Sequence, residues 1–202
     1  MRLYLKSRLH NPIDALWDAR LGVQTFGYTP DVGQFSDPNW RCHYAPTKYR
    51  ELFRMFHRVG LGPEDTFVDL GSGLGRAVFG AVHLGARAIG VEIDGVLHAG
   101  AEENRARCRL PRERIAFNQG SAGDFDPKGC TVLFIYNAFG RGTLQLVLDR
   151  LGEDLERHPR DLRFVYFNPT LDPVVTASGF LRCFDHWTEP PHRHPASFWR
   201  AA

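Results

Sequence analysis

The stretch Thr66-Phe-Val-Asp69-Leu-Gly71-Ser72-Gly73-Leu-Gly75-Arg76 constrains this chain more tightly than any other. An apolar, β-rich run ends near a carboxylate, passes three glycines at alternate positions and enters a helix-forming segment. Glycine accepts positive φ and, lacking Cβ, allows close approach of a ligand or a second backbone. The pattern therefore predicts a strand that turns sharply into a helix. The first amides of that helix have no partner within it and carry the positive end of its dipole, so the turn suits an anionic or carboxylate-bearing ligand.

From Gly62 onward the chain alternates such runs with longer helical stretches, the pattern of a parallel sheet covered by helices. Strands are predicted at Thr66–Gly71, Ala88–Ile93, Ile115–Asn118, Thr131–Tyr136, Arg163–Phe167, Phe180–Trp187 and Ser197–Trp199. Helices are predicted at Arg76–Ala86, Val96–Cys108 and Thr143–His158, with a short one after Pro173. The fold class is α/β, with a mostly parallel seven-stranded sheet. Residues 1–60 differ in character. Trp17, Phe26, Tyr28, Phe35, Trp40 and Tyr44 lie among Gly, Pro, Asp and Asn, ahead of a helical stretch from Lys48 to Val59. We read a 1–60 cap segment on a 61–202 domain, the two forming one structural unit; 202 residues suffice for one full core.

A net charge of +2 excludes a strong summed field of the kind that marks dedicated nucleic-acid or membrane-surface binders. No stretch approaches the ~20 apolar residues that cross a bilayer, and residues 1–8 lack the apolar core of a signal peptide. Cys42, Cys108, Cys130 and Cys183 are dispersed and form no C-x-x-C pair, which fits reduced thiols. A cytoplasmic protein is expected.

Glycine loops alone discriminate little; Glu92, at the end of the second strand, adds more. A carboxylate there accepts both hydroxyl hydrogens of an unphosphorylated ribose. Dinucleotide enzymes show G-x-G-x-x-G, whereas this loop reads G-x-G-x-G with Asp69 two residues ahead. An acid at that place suits a ligand carrying an ammonium group. A nicotinamide oxidoreductase using Glu92 for its ribose is the enzymatic alternative.

These residues resemble the class I, seven-stranded, Rossmann-like methyltransferases that use S-adenosyl-L-methionine, over roughly Tyr44 to Phe180. The resemblance implies that Gly71, Ser72 and Gly73 line the methionine and adenosine, that Asp69 orients the cofactor, that Glu92 holds the ribose and that Ile93 packs on the adenine. It places the adenine amino group near Ser121, Ala122 or Asp124. It also puts Asn137, in Tyr136-Asn137-Ala138-Phe139, beside the methyl-transfer position as both cofactor contact and catalytic group. Tyr44 would close over the reacting carbon, and Thr47 would reach the methionine carboxylate. The sulfonium already activates its methyl group, so the protein's task is to align an unprotonated nucleophile.

More narrowly, Leu-Gly-Ser-Gly-Leu-Gly-Arg76, Gly-Val-Glu92 and Tyr44-Ala-Pro46-Thr47 resemble a bacterial group of unassigned substrate. They also resemble the non-SET histone lysine methyltransferases, whose asparagine-phenylalanine motif Asn137-Ala138-Phe139 matches in part. A protein lysine is thus one candidate acceptor; a small molecule or a nucleic acid is another, and a cofactor-binding docking module without transfer is a third reading. Nucleic acid is not indicated: the DNA amino-methylating enzymes carry Asn/Asp-Pro-Pro-aromatic after strand four, and both prolines are missing here. Asn168-Pro169-Thr170 recovers part of that pattern after the fifth strand instead, and is set aside.

Plainer roles stand beside these. Asn137 also suits a turn, Tyr44 packing, and Thr47 the N-cap of the following helix. Arg76 reads as a structural or surface charge, and Arg105, Arg107, Arg109, Arg112 and Arg114 as a solvated helix end. Cys183, His186, His192 and His194 match no zinc spacing and read as solvated loop, so no metal is expected.

Overall fold

The computed structural model describes residues 11–27, 44–188 and 194–202. Tyr28, Phe35 and Trp40 of the predicted cap, and His192, lie outside them. Seven strands form one sheet: β1 (Thr66–Leu70), β2 (Arg87–Glu92), β3 (Ile115–Gln119), β4 (Val132–Tyr136), β5 (Arg163–Phe167), β6 (Leu181–Trp187) and β7 (Ala196–Ala201). Their order is β3-β2-β1-β4-β5-β7-β6. Strands β1 to β5 pair in parallel, and β7 runs antiparallel to both β5 and β6. A parallel sheet needs crossover connections, and these are supplied by α3 (Arg76–His83), α4 (Gly95–Arg107) and α5 (Arg141–Arg157).

Two apolar clusters cover the two faces of the sheet. One joins Phe67, Phe134, Val165 and Phe167 to Leu52, Met55 and Phe56 of α2 (Tyr49–Arg58) and to Val78 and Phe79 of α3. The other joins Val68, Leu133, Ile135 and Tyr166 to Leu144, Val147, Leu148 and Leu151 of α5, and to Val174 and Val175 of α6 (Asp172–Ala177). Alternate residues of one strand thus enter opposite clusters, as a strand buried on both faces requires.

The chain runs from β1 to β2 and β3 on one side, then returns across β1 to β4 on the other. Connections leave the carboxyl ends of β1 and β4 in opposite directions, which opens a crevice there.

A helix that hydrophobic periodicity did not reveal precedes this domain. In α1 (Pro12–Leu21), Asn11 accepts from Ile13 N at its start and Gly22 closes its end in the left-handed region. Its buried side chains are Asp14, Asp18 and Leu21, whereas Ile13 and Leu16 are exposed. The inward face is therefore ionic, and apolar spacing carries no trace of it.

Candidate functional site

The crevice is walled by the glycine loop. Gly71, Gly73 and Gly75 all have positive φ, and Gly71 is exposed while 72–82 are buried. A Cβ on Gly71 would land on the Ala138 Cβ, and one on Gly73 would land on the Tyr44 ring. The loop thus touches the end of β4 on one side and the chain entering α2 on the other.

Glu92 lies beneath it, 7% exposed. One carboxylate oxygen accepts from Gly73 N at 2.8 Å and the other from Asp94 N at 2.8 Å. Each oxygen keeps a further lone pair for a ligand hydroxyl. Burial raises its pKa, against the pull of those two amides. Asp69, on β1 and 4% exposed, is pushed up to about 8, first by burial and then by the Glu92 charge. Two buried acids here meet no cation strong enough to keep Asp69 in the usual carboxylate range, so a cationic ligand is electrostatically favoured.

The other predicted residues divide. Ile93 is 46% exposed directly after Glu92, open to pack on a flat group. Ser121 accepts from Gly123 N at 3.2 Å and caps a short 3-10 turn, and Ala122 is buried in that turn. Asp124 points to solvent and faces Arg150. The Ser72 hydroxyl is buried without a hydrogen-bond partner, and a Cβ on Gly90 would come within 2.6 Å of it. The hydroxyl therefore lies against β2, and the Ser72 backbone is bonded too, its N–H to Val91 O at 3.1 Å and its carbonyl to Gly75 N at 2.8 Å.

Tyr44 lies on Gly73 and donates its hydroxyl to Thr25 O at 2.6 Å. Burial pushes that phenol far up, so it stays protonated. Thr47 is buried, and its carbonyl accepts from Arg76 Nη1 at 3.2 Å. It is not the helix cap: α2 begins at Tyr49, with Lys48 at the cap position and no side-chain bond there.

Arg76 is a structural charge, 4% exposed. It donates through Nε to Thr25 Oγ1 at 2.6 Å, stands 3.7 and 3.6 Å from the Asp14 and Asp18 carboxylates, and sits 5.0 Å above the Tyr49 ring. Asp18 also receives the Tyr49 and Thr25 hydroxyls at 2.9 and 2.7 Å. Asn104 completes the junction, donating to Leu74 O and Gln24 O at 3.0 Å each. Helix α1 and residues 23–25 are thereby fastened to the helix-entry end of the glycine loop.

At the end of β4, Asn137 is 6% exposed and adopts φ 38°. Asn168 ends β5 in the same way, at φ 54°. Left-handed backbone at non-glycine residues is uncommon and costs about 1–3 kcal/mol unless local bonds compensate. Thr170 Oγ1 donates to Asn137 Oδ1 at 2.7 Å, so Asn168-Pro169-Thr170, set aside in the sequence, lies against the predicted transfer residue. Parallel pairing of β4 with β5 puts consecutive strand ends side by side, which linear order hides. His194 is not solvated loop either: it packs on Tyr136 and Phe167 at centroid distances of 5.8 and 5.7 Å, beside the Asn168 N bond to Pro195 O.

Among the described residues no group of three or more His, Cys, Asp or Glu is placed to hold a metal ion. His186 faces Asp172, and Cys183 donates to a backbone carbonyl. A groove between α2 and β6, lined by Phe53, Arg54, His57, Arg58 and Trp187, contains none of the predicted site residues. Among the described residues no helix is long and apolar enough to cross a membrane.

Comparison with known proteins bears on the fold. The family model described as histone methylation protein DOT1 matches residues 39–118, which ends within β3 and leaves β4 and β5 outside. No curated protein matches the chain. Among solved structures, an RNA methyltransferase from Salinibacter ruber, in complex with S-adenosyl-L-homocysteine, is similar at 23% identity and TM-score 0.58, over 78% of this chain and 94% of its own. The glycopeptide N-methyltransferase MtfA, complexed with S-adenosyl-L-methionine, is similar at 14% identity and TM-score 0.60, over 76% and 92%. The CcbJ methyltransferase from Streptomyces caelestis follows at 16% and 0.59, over 78% and 90%. The chain has the Rossmann-like fold of the class I methyltransferases.

Proposed function

We propose that this chain transfers a methyl group from S-adenosyl-L-methionine to an acceptor, with a protein lysine as the first acceptor class to test. The observation that carries the reading is the buried Glu92 carboxylate bonded to the Gly73 amide directly beneath an exposed Gly71. That arrangement offers a ribose two oxygen lone pairs at the floor of a loop open to an adenosine and a methionine tail. Asp69 supplies negative charge for the methionine ammonium, and exposed Ile93 supplies an apolar face for the adenine. Tyr44 and Thr47 line the approach from the cap, and the turn at Ser121 and Ala122 borders the adenine end.

When bound, the cofactor supplies a methyl group on a positively charged sulfur. What remains for the protein is to orient it, to exclude water and to hold the acceptor's nucleophilic atom in line. Asn137, next to the Ala138 that abuts Gly71, is placed for that last task. The DOT1 match supports a protein acceptor, although it spans only the cofactor half. Cys108, Cys130 and Cys183 are free thiols, which supports work in the cytoplasm.

Calorimetric titration with S-adenosyl-L-methionine, S-adenosyl-L-homocysteine and NADH tests the reading without an acceptor. Binding of the two sulfur compounds and not NADH is expected, and NADH binding alone would overturn it. Transfer of labelled methyl groups onto proteins, RNA and small-molecule pools then identifies the acceptor class.

A further inference from the structure

We propose that Thr170 is a positioning residue for methyl transfer, acting through its hydrogen bond to Asn137. The inference rests on the methyl-transfer reading and adds a residue from β5's side of the crevice. Three observations converge. The 2.7 Å bond from Thr170 Oγ1 takes one lone pair of Asn137 Oδ1 and so fixes the plane of the carboxamide, leaving the second lone pair for a ligand N–H or O–H. Asn137 and Asn168 both hold left-handed backbone at the ends of neighbouring strands, a conformation that persists only where surrounding contacts enforce it. And the turn bearing Thr170 is itself anchored, by Asn168 N to Pro195 O at 2.8 Å and by Thr170 N to Asn168 O at 2.9 Å.

A purely structural role would be satisfaction of a buried amide. The two roles separate through ligand choice, because Thr170 would not discriminate between ligands if it only satisfied the amide. Its hydroxyl also faces the buried Tyr166 phenol, so the variants are checked for an unchanged melting temperature.

The probe is a pair of cofactor analogues: S-adenosyl-L-homocysteine, which has nothing at the methyl position, and sinefungin, which carries an amino group there. An Asn137 carbonyl held by Thr170 accepts that N–H. The unaltered protein should therefore prefer sinefungin by about threefold to tenfold, the equivalent of one net hydrogen bond. Thr170→Val should abolish the preference while leaving S-adenosyl-L-homocysteine affinity unchanged, and Thr170→Ser should retain it. A preference that survives in Thr170→Val, equal losses for both ligands, or no preference in the unaltered protein would each overturn the inference while leaving the methyltransferase reading intact. Failure of both analogues to bind the unaltered protein would bring down that reading and this inference together.

Discussion

Asp69 and Glu92 share one buried site without a buried cation assigned to them, and the consequence is a proton. Near neutral pH the Asp69 carboxyl, pushed up to about 8, is largely protonated in the ligand-free protein. A cofactor bearing an ammonium and a sulfonium favours the ionised form, so binding should expel that proton. Affinity for S-adenosyl-L-methionine should rise with pH up to about 8 and level off above it. Calorimetry in buffers of different ionisation enthalpy will read the proton release directly. The sign for folding is opposite: a carboxyl whose folded pKa is raised favours the fold most when protonated, so the ligand-free protein should lose stability as pH climbs from about 4 towards 8. Asn at this position should flatten that loss and weaken cofactor binding by tenfold or more, on the order of a charged hydrogen bond. The role expected of Asp69 was legible from its place before the glycines; its proton was not, because burial and the distance to Glu92 are three-dimensional quantities.

The glycine-loop helix α3 was predicted to start at Arg76, and does so; the predicted end at Ala86 overshoots the observed one at His83, since Leu84-Gly85-Ala86 turns back into β2. Helix α1 went unseen for a different reason: its inward face is built from Asp14 and Asp18, so the pattern that betrays most helices is inverted. Removing Arg76 would leave those two carboxylates buried without their cation. Arg76→Ala should cost about 3–5 kcal/mol, visible as a fall in urea midpoint. Asp14→Asn combined with Asp18→Asn should restore part of that loss in the same titration, because the amides need no cation. Gly73→Ala places a methyl on the Tyr44 ring at a left-handed φ, and should abolish cofactor binding even where the protein remains folded. Near-ultraviolet circular dichroism alongside calorimetry separates the two effects.

Across the whole molecule the sheet order divides the work, with β1 to β3 forming one half and β4 to β7 the other. The seven strands and their mostly parallel arrangement were legible from strand alternation and the glycine motif. The neighbours of the transfer residue did not, since Thr170 and His194 reach Asn137 and Tyr136 only through pairing of β5 with β4 and β7. Since Tyr44, Arg76 and Asn104 tie residues 23–25 and 44–47 to the loop, S-adenosyl-L-homocysteine should slow amide exchange in those segments together with residues 70–76. Protection confined to the loop would show that the ties do not transmit binding. The bond from Asn168 N to Pro195 O has an outcome for anyone redesigning this protein. Strand β7 is held by β5 on one side and β6 on the other, and this bond ties its entry to the turn bearing Thr170, so a redesigned β7 that slips its register takes that turn with it.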